Sequence, residues 1–372
     1  MIAAFLLASA LDRGAAAYKA GDFEAAQAAY AQAVTDDPKS AAARLGLGRL
    51  ELYRNDFDAA ERDLDVAAID PATAADARRY LDQVKMRRAA FAPGPYDAAI
   101  GTRTLRIPFA QRDPLPVIAV AVNGKPAHFV IDTGAPDLIV DPAFAKAVGA
   151  TLVADGVGTF AGGRQAAVSR TTLATFAIGG VDFPDVPAAA LPTGRLQFGG
   201  TTRIDGIVGT GFLLHFLATL DYADSQLILA PRGSAPDLGG TTAVPMWFVG
   251  DHFLFARGAL NDVPMLFLVD TGLAGGGLNA TSETLKSAGI VPDTAHASQG
   301  VGGGGPVTAI PFVAARVALG DAVRTDVRGI YTPEGSPLAM FPFAVGGAVS
   351  HGFFSPGKLT FDFRGMRLIV TP

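Results

Sequence analysis

Residues 7–90 carry apolar positions at helical spacing, with almost no strand signal, and that spacing repeats. Gly14, Asp22-Phe23 and Ala26 recur 34 residues later as Gly48, Asp56-Phe57 and Ala60. Tyr30 and Ala33 recur as Leu64 and Ala67, and Pro38 and Pro71 close the two units. Small residues at Ala26 and Ala60 let paired helices approach closely. Residues 72–88 read as one further helix that caps the stack. Ala92-Pro93-Gly94-Pro95 is a stiff break, so residues 91–97 are expected to be a linker.

Beyond the break the pattern turns to alternation, which reads as strands. Val117–Val122, an Asn123-Gly124 turn and residues 128–131 predict a hairpin. Phe253–Leu260, Asn261-Asp262 and residues 265–269 predict a second one. The two belong to a longer duplication. Asn123 and Pro126 match Asn261 and Pro264, and Ile107-Pro108-Phe109 matches Val244-Pro245-Met246. Asp141-Pro142 opens a helix-like run stopping at Gly149, and Thr281-Ser282-Glu283 opens another stopping at Gly289. Each half ends in a predicted hairpin, turning at Ala223-Asp224 in one and Arg364-Gly365 in the other.

Composition narrows the classes. The 372 residues are 49% hydrophobic and 17% charged, enough to bury cores in two or three domains. The net charge of −5, without a basic run, argues against a nucleic-acid partner. No cysteine is present, which removes disulfides, thiol catalysis and cysteine-bound metal. Residues 1–10 are apolar and end in Ala8-Ser9-Ala10, like a signal-peptide cleavage site, though they lack a positive start. They are far too short to span a bilayer. A periplasmic or secreted location is therefore expected over a cytoplasmic one.

The candidate chemistry lies in two copies of one motif, Asp132-Thr133-Gly134 and Asp270-Thr271-Gly272, each closing an apolar strand. A single copy is ordinary turn chemistry. Two copies in matched surroundings point to two carboxylates brought face to face to activate one water. With Ile207-Val208-Gly209, these motifs resemble the aspartic peptidases, in their bacterial retropepsin-like branch, over residues 100–372. The helical period similarly resembles the tetratricopeptide repeat.

The expected fold is thus an all-α tetratricopeptide-like domain (11–90) and a mainly-β, double-lobed acid-protease fold. Its lobes span 98–235 and 236–372, related by a pseudo-twofold duplication. The resemblance implies that Asp132 and Asp270 are catalytic and that Thr133 and Thr271 brace the loops. Gly134 and Gly272 leave room for water and substrate, and Gly209 packs behind the first loop. It also implies glycine-rich flaps, at Gly158, Thr159 and Phe160 in one half and Gly302 and Gly303 in the other.

Two positions depart from the pattern. Ser350 stands where the second lobe should repeat Gly209, and is read as a small packing residue. Leu273 follows the second motif where Ala or Ser is usual. The five histidines show no paired metal spacing, and Asp221 and Asp362 fall inside predicted hairpins, where a structural role is expected. The function implied is an aspartic endopeptidase without metal or organic cofactor, acting on a peptide or protein substrate. One chain supplies both lobes, so a monomer suffices, and the helical repeats offer a surface for a protein partner. The alternative is a non-catalytic peptide-binding or scaffold protein that keeps the fold. Ser350 favours that alternative; two intact Asp-Thr-Gly motifs favour the enzyme.

Overall fold

The computed structural model describes residues 8–159, 165–193, 202–302, 305–333, 337–355 and 357–371. The chain forms two compact units. One is Met1–Ala92 together with Phe341–Val345; the other is Pro93–Met340 with Gly346–Pro372.

The helical unit contains α1 (Ala10–Lys19), α2 (Phe23–Asp36), α3 (Ala41–Tyr53), α4 (Phe57–Ala67) and α5 (Ala74–Phe91). Its sequence period has a physical cause at each recurring position. Asp22 and Asp56 are N-caps whose carboxylates accept the backbone N–H of Ala25 and Ala59. A Cβ on Gly14 would press into the Tyr30 ring at 2.7 Å, and one on Gly48 into Leu64 at 2.8 Å. The glycine and the large residue it admits therefore repeat together. Ala26 and Ala60 are fully buried at the helix contacts. The Ala8-Ser9-Ala10 tripeptide sits where α1 begins, and Ser9 caps that helix by accepting the Asp12 N–H.

One strand-connecting segment belongs to this unit although it lies in the second half of the sequence. Phe343 packs edge-on against Phe23 (centroids 4.8 Å) and Tyr18 (5.5 Å), and the Ala344 N–H donates to the Lys19 carbonyl at 2.8 Å. The second lobe expected as continuous over 236–372 is thus interrupted in its packing at Phe341–Val345.

The stretch 91–97, expected as linker, is largely helical. Phe91 still closes α5, and Pro95, with φ preset for a first helical position, opens Pro95–Ile100. Tyr96 of this short helix stacks on His215 at 4.0 Å within the β unit.

The β unit repeats one arrangement twice. In the first lobe, strand Gly206–Val208 lies between two others. It runs parallel to Lys125–Ile131, with Val208 opposite Ile131, and antiparallel to Leu138–Val140. In the second, Gly347–Val349 is parallel to Val263–Val269 and antiparallel to Leu278–Ala280. The matched asparagines explain why the duplication extends so far upstream. Asn123 donates to the Val148 carbonyl and accepts the Thr175 N–H; Asn261 does the same with Ala288 and Arg316. Both take left-handed backbone (φ 48° and 45°), which asparagine tolerates in a tight hairpin turn.

The terminal hairpins join the lobes. Phe216–Asp221 pairs antiparallel with Lys358–Asp362, so that Thr219 faces its own repeat, Thr360, with hydroxyls 2.7 Å apart. Asp221 and Asp362 each accept the backbone N–H three residues on, which closes the turns that follow. Both are structural here.

Candidate active site

Each Asp-Thr-Gly loop leaves the strand just described and is held by the neighbouring short strand. The Asp132 N–H donates to the Val208 carbonyl, and the Asp270 N–H to Val349, both at 3.0 Å. Within each loop the glycine N–H returns to the aspartate: Gly134 to Asp132 Oδ1 at 2.8 Å, Gly272 to Asp270 Oδ1 at 2.9 Å.

The two loops lock together through their threonines, both fully buried. The Thr133 N–H donates to Thr271 Oγ1 at 3.0 Å, and the Thr271 N–H donates to Thr133 Oγ1 at 3.1 Å. Each hydroxyl passes its own proton onward, to Val269 and Ile131 respectively, at 2.9 and 3.1 Å. Four hydrogen bonds thus cross the seam and leave neither hydroxyl unsatisfied.

This lock brings the carboxyls together. Asp132 and Asp270 face each other across the seam and interact electrostatically. A Cβ on Gly134 would stand 2.7 Å from Asp270 Oδ2, and one on Gly272 would collide with the Asp132 carboxyl. Only glycine admits the opposite aspartate at that approach. Both residues are half-buried, their carboxyls crowded by protein atoms while part of each residue stays open to solvent. Burial pushes both above the usual carboxylate range. The Gly134 N–H pulls Asp132 back, whereas the adjacent Asp132 charge drives Asp270 still higher. Such a pair titrates as a unit and holds one proton between two carboxyls.

Gly209 sits behind the first loop. A Cβ there would meet the Ala135 carbonyl at 2.6 Å, while the Thr210 N–H donates to that same carbonyl at 2.9 Å. Ser350 does more than pack in the second lobe. Fully buried, it donates its hydroxyl to the carbonyl of Leu273, the counterpart of Ala135, at 2.6 Å.

The flap candidates fall on two hairpins. Val153–Thr159 pairs with Gln165–Ile178, bringing Gly158 opposite Ala166 and Thr159 opposite Gln165. Ser298–Gly302 pairs with Gly305–Leu319, with Gly302 opposite Gly305. Phe160 and Gly303 lie outside the described residues.

Several neighbours of the site had no distinguishing signal in the sequence. Arg170, on the strand Gln165–Ile178, bridges Asp155 (2.5 Å) and Asp137 (3.5 Å), the latter five residues past Asp132. His252 of the second lobe, held by Asp251 at 2.6 Å, acts electrostatically on both Asp132 and Asp137. A charge on it favours the ionised form of Asp132. Among the described residues, no group of three or more His, Asp or Glu side chains is placed to hold a metal ion.

A family model described as aspartyl protease matches residues 118–212 and 256–346, together half of the chain. The chain therefore belongs to the aspartyl protease family. A tetratricopeptide-repeat model matches residues 17–81. No curated protein matches the chain. Among solved structures, the chain is similar to a retropepsin-like aspartic protease from Rickettsia conorii. The two are 23% identical over 34% of this chain and 89% of that one, with a TM-score of 0.27.

Proposed function

We propose that this protein is a single-chain aspartic endopeptidase in which Asp132 and Asp270 activate one water. The observation that carries the reading is the close approach of the two carboxyls, each packed against the glycine of the opposite loop. One carboxyl of the pair, ionised, serves as the base. It takes a proton from the water as the water oxygen bonds to the scissile carbonyl carbon. The other carboxyl, holding the shared proton, donates a hydrogen bond to the carbonyl oxygen and stabilises the charge that develops there. Collapse of the tetrahedral intermediate passes a proton to the leaving amine and breaks the C–N bond.

Both lobes come from one chain, so catalysis needs no second copy. The flap hairpins would close over an extended peptide. The Ser350 hydroxyl holds Leu273, which supports a loop built to accept serine over one decayed from glycine. The helical repeats suggest protein interaction, with a partner or with a segment of the substrate. No helix among the described residues is long and apolar enough to cross a membrane. Digestion of a peptide library, with and without an inhibitor that mimics the tetrahedral intermediate, tests the proposal. Inhibitor-sensitive cleavage supports it, and no cleavage of any peptide would refute it.

A further inference from the structure

The short strand that holds each catalytic loop is entered through an anchor, and the two lobes anchor it differently. In lobe one the residue before strand Gly206–Val208 is Asp205, which is buried. Its carboxylate accepts the His128 N–H at 3.1 Å and pairs with Arg203 at 2.9 Å. Its carbonyl accepts the Asp141 N–H at 2.8 Å. Ile204, just ahead of it, packs in one apolar cluster with Val117, Val130 and Ile207. Lobe one therefore fixes this strand with its own residues.

In lobe two the strand registers put Gly346 where lobe one has Asp205. The backbone bond is kept: the Gly346 N–H donates to the Leu266 carbonyl at 2.8 Å, as Asp205 does to His128 at 2.9 Å. The side chain is not kept, and a Cβ on Gly346 would collide with the Met265 side chain. Val345, the counterpart of Ile204, is half-buried. The anchor lies instead at Phe343 and Ala344, inside the helical unit. Phe343 is 5% exposed, meets Phe23 and Tyr18 edge-on, and carries Phe341 stacked on its other side at 5.3 Å. Ala344 completes the end of α1. The last carbonyls of a helix have no intrahelical partner. Those of Ala16, Ala17 and Tyr18 accept from Ala20, Asp22 and Gly21, and that of Lys19 accepts the Ala344 N–H at 2.8 Å.

We infer that Phe343 is a positioning residue for Asp270: held by α1 and α2, it fixes the entry to strand Gly347–Val349, whose Val349 carbonyl holds the Asp270 N–H at 3.0 Å. The helical unit thereby gives lobe two the anchor that Asp205 and Ile204 give lobe one from within. The path from Phe343 to Val349 is short and covalent, and the Gly346 bond to Leu266 lies along it. Without the aromatic anchor the strand frays from its first residue, and the Val349–Asp270 bond opens more often. The anchoring stands on packing and hydrogen bonds; its kinetic consequence rests on the peptidase reading.

Two readouts test this on the full chain. The first is amide hydrogen exchange, with the Asp132 amide of lobe one as the internal control. In Phe343→Ala the Asp270 amide should exchange at least about tenfold faster than in wild type, with the Asp132 amide within about twofold. Phe343→Leu keeps part of the apolar contact and should show the same asymmetry at smaller size, which preserves the test if the alanine variant does not fold. An Asp270 amide unchanged in every folded variant would overturn the inference, as would equal acceleration of the two amides. The second readout is kinetic. Phe343→Ala should lower kcat about tenfold with KM within about twofold, as expected when one carboxyl loses its orientation and the substrate contacts remain. Phe343→Leu should recover much of that loss. Wild-type kcat in a folded Phe343→Ala would overturn the inference. A wild type that cleaves nothing would count against the peptidase reading alone and leave the exchange rates to decide.

Discussion

Thr133 and Thr271 each donate a backbone N–H to the other's hydroxyl, at 3.0 and 3.1 Å, and so tie together two loops 138 residues apart in sequence. Thr271→Val keeps the shape but removes one donor and one acceptor. The Thr133 N–H and the Ile131 carbonyl then lose their partners, at roughly 1–3 kcal/mol for each buried group left unpaired. Urea unfolding should show that loss, and Thr271→Ser should restore most of it. A Thr271→Val protein as stable as wild type would show that the cross-seam bonds do not hold the loops.

Ser350→Gly should cost stability. The hydroxyl that donates to Leu273 is lost, worth about 0.5–1.5 kcal/mol for a typical intramolecular hydrogen bond. Ser350→Leu should cost more, by forcing a large side chain into a fully buried position. Midpoints of chemical unfolding for the two variants, set against wild type, give the comparison.

Much of this arrangement was legible in the sequence, because it rests on local chemistry repeated twice. The Asn turns, the N-capping aspartates at 22 and 56 and the two Asp-Thr-Gly loops need particular residue types at fixed spacing. The role of Ser350 was not legible. A hydroxyl declares its partner only when the chain brings Leu273 to it from far away in sequence. The same applies to Phe341–Val345. Nothing in its own pattern distinguishes a strand connection from a segment that packs among helices, and the aromatic partners that decide it are Tyr18 and Phe23.

Phe343→Ala should therefore destabilise the helical unit, though it lies far from those helices in sequence. The ring is 5% exposed and fills an aromatic contact, so its removal should cost about 3–5 kcal/mol. Helical circular dichroism followed through thermal unfolding would register the change as an earlier loss of signal.

Glu51 in the helical unit makes that unit sensitive to alkali. Burial, and then the neighbouring Asp63 charge, push its carboxyl up to about 8. Asp63 is paired with Arg44. The folded value exceeds the unfolded one of about 4.3, so folding favours the protonated form. The stabilisation is complete below about pH 4.3 and is lost as pH rises through about 8. Glu51→Gln should flatten the fall in Tm over that window. An unchanged pH dependence of Tm would contradict the assignment.

Asp132 and Asp270 carry the central claim, which one experiment tests most directly. Wild type, Asp132→Asn and Asp270→Asn are assayed on a single peptide library across pH, with Tm as the folding control. Asparagine keeps the shape of aspartate but can neither share the proton nor act as base. Either change should lower kcat/KM by at least about 100-fold, the scale of one acid–base partner. Wild type should show two macroscopic pKa values and an acidic optimum. The Asp270 carboxyl is held above its unfolded value by burial and by Asp132, so its contribution to stability is lost as pH rises. Asp270→Asn should accordingly match or exceed the wild-type Tm at neutral pH while being inactive. Near-wild-type cleavage by a folded Asp270→Asn protein would contradict the two-carboxyl mechanism.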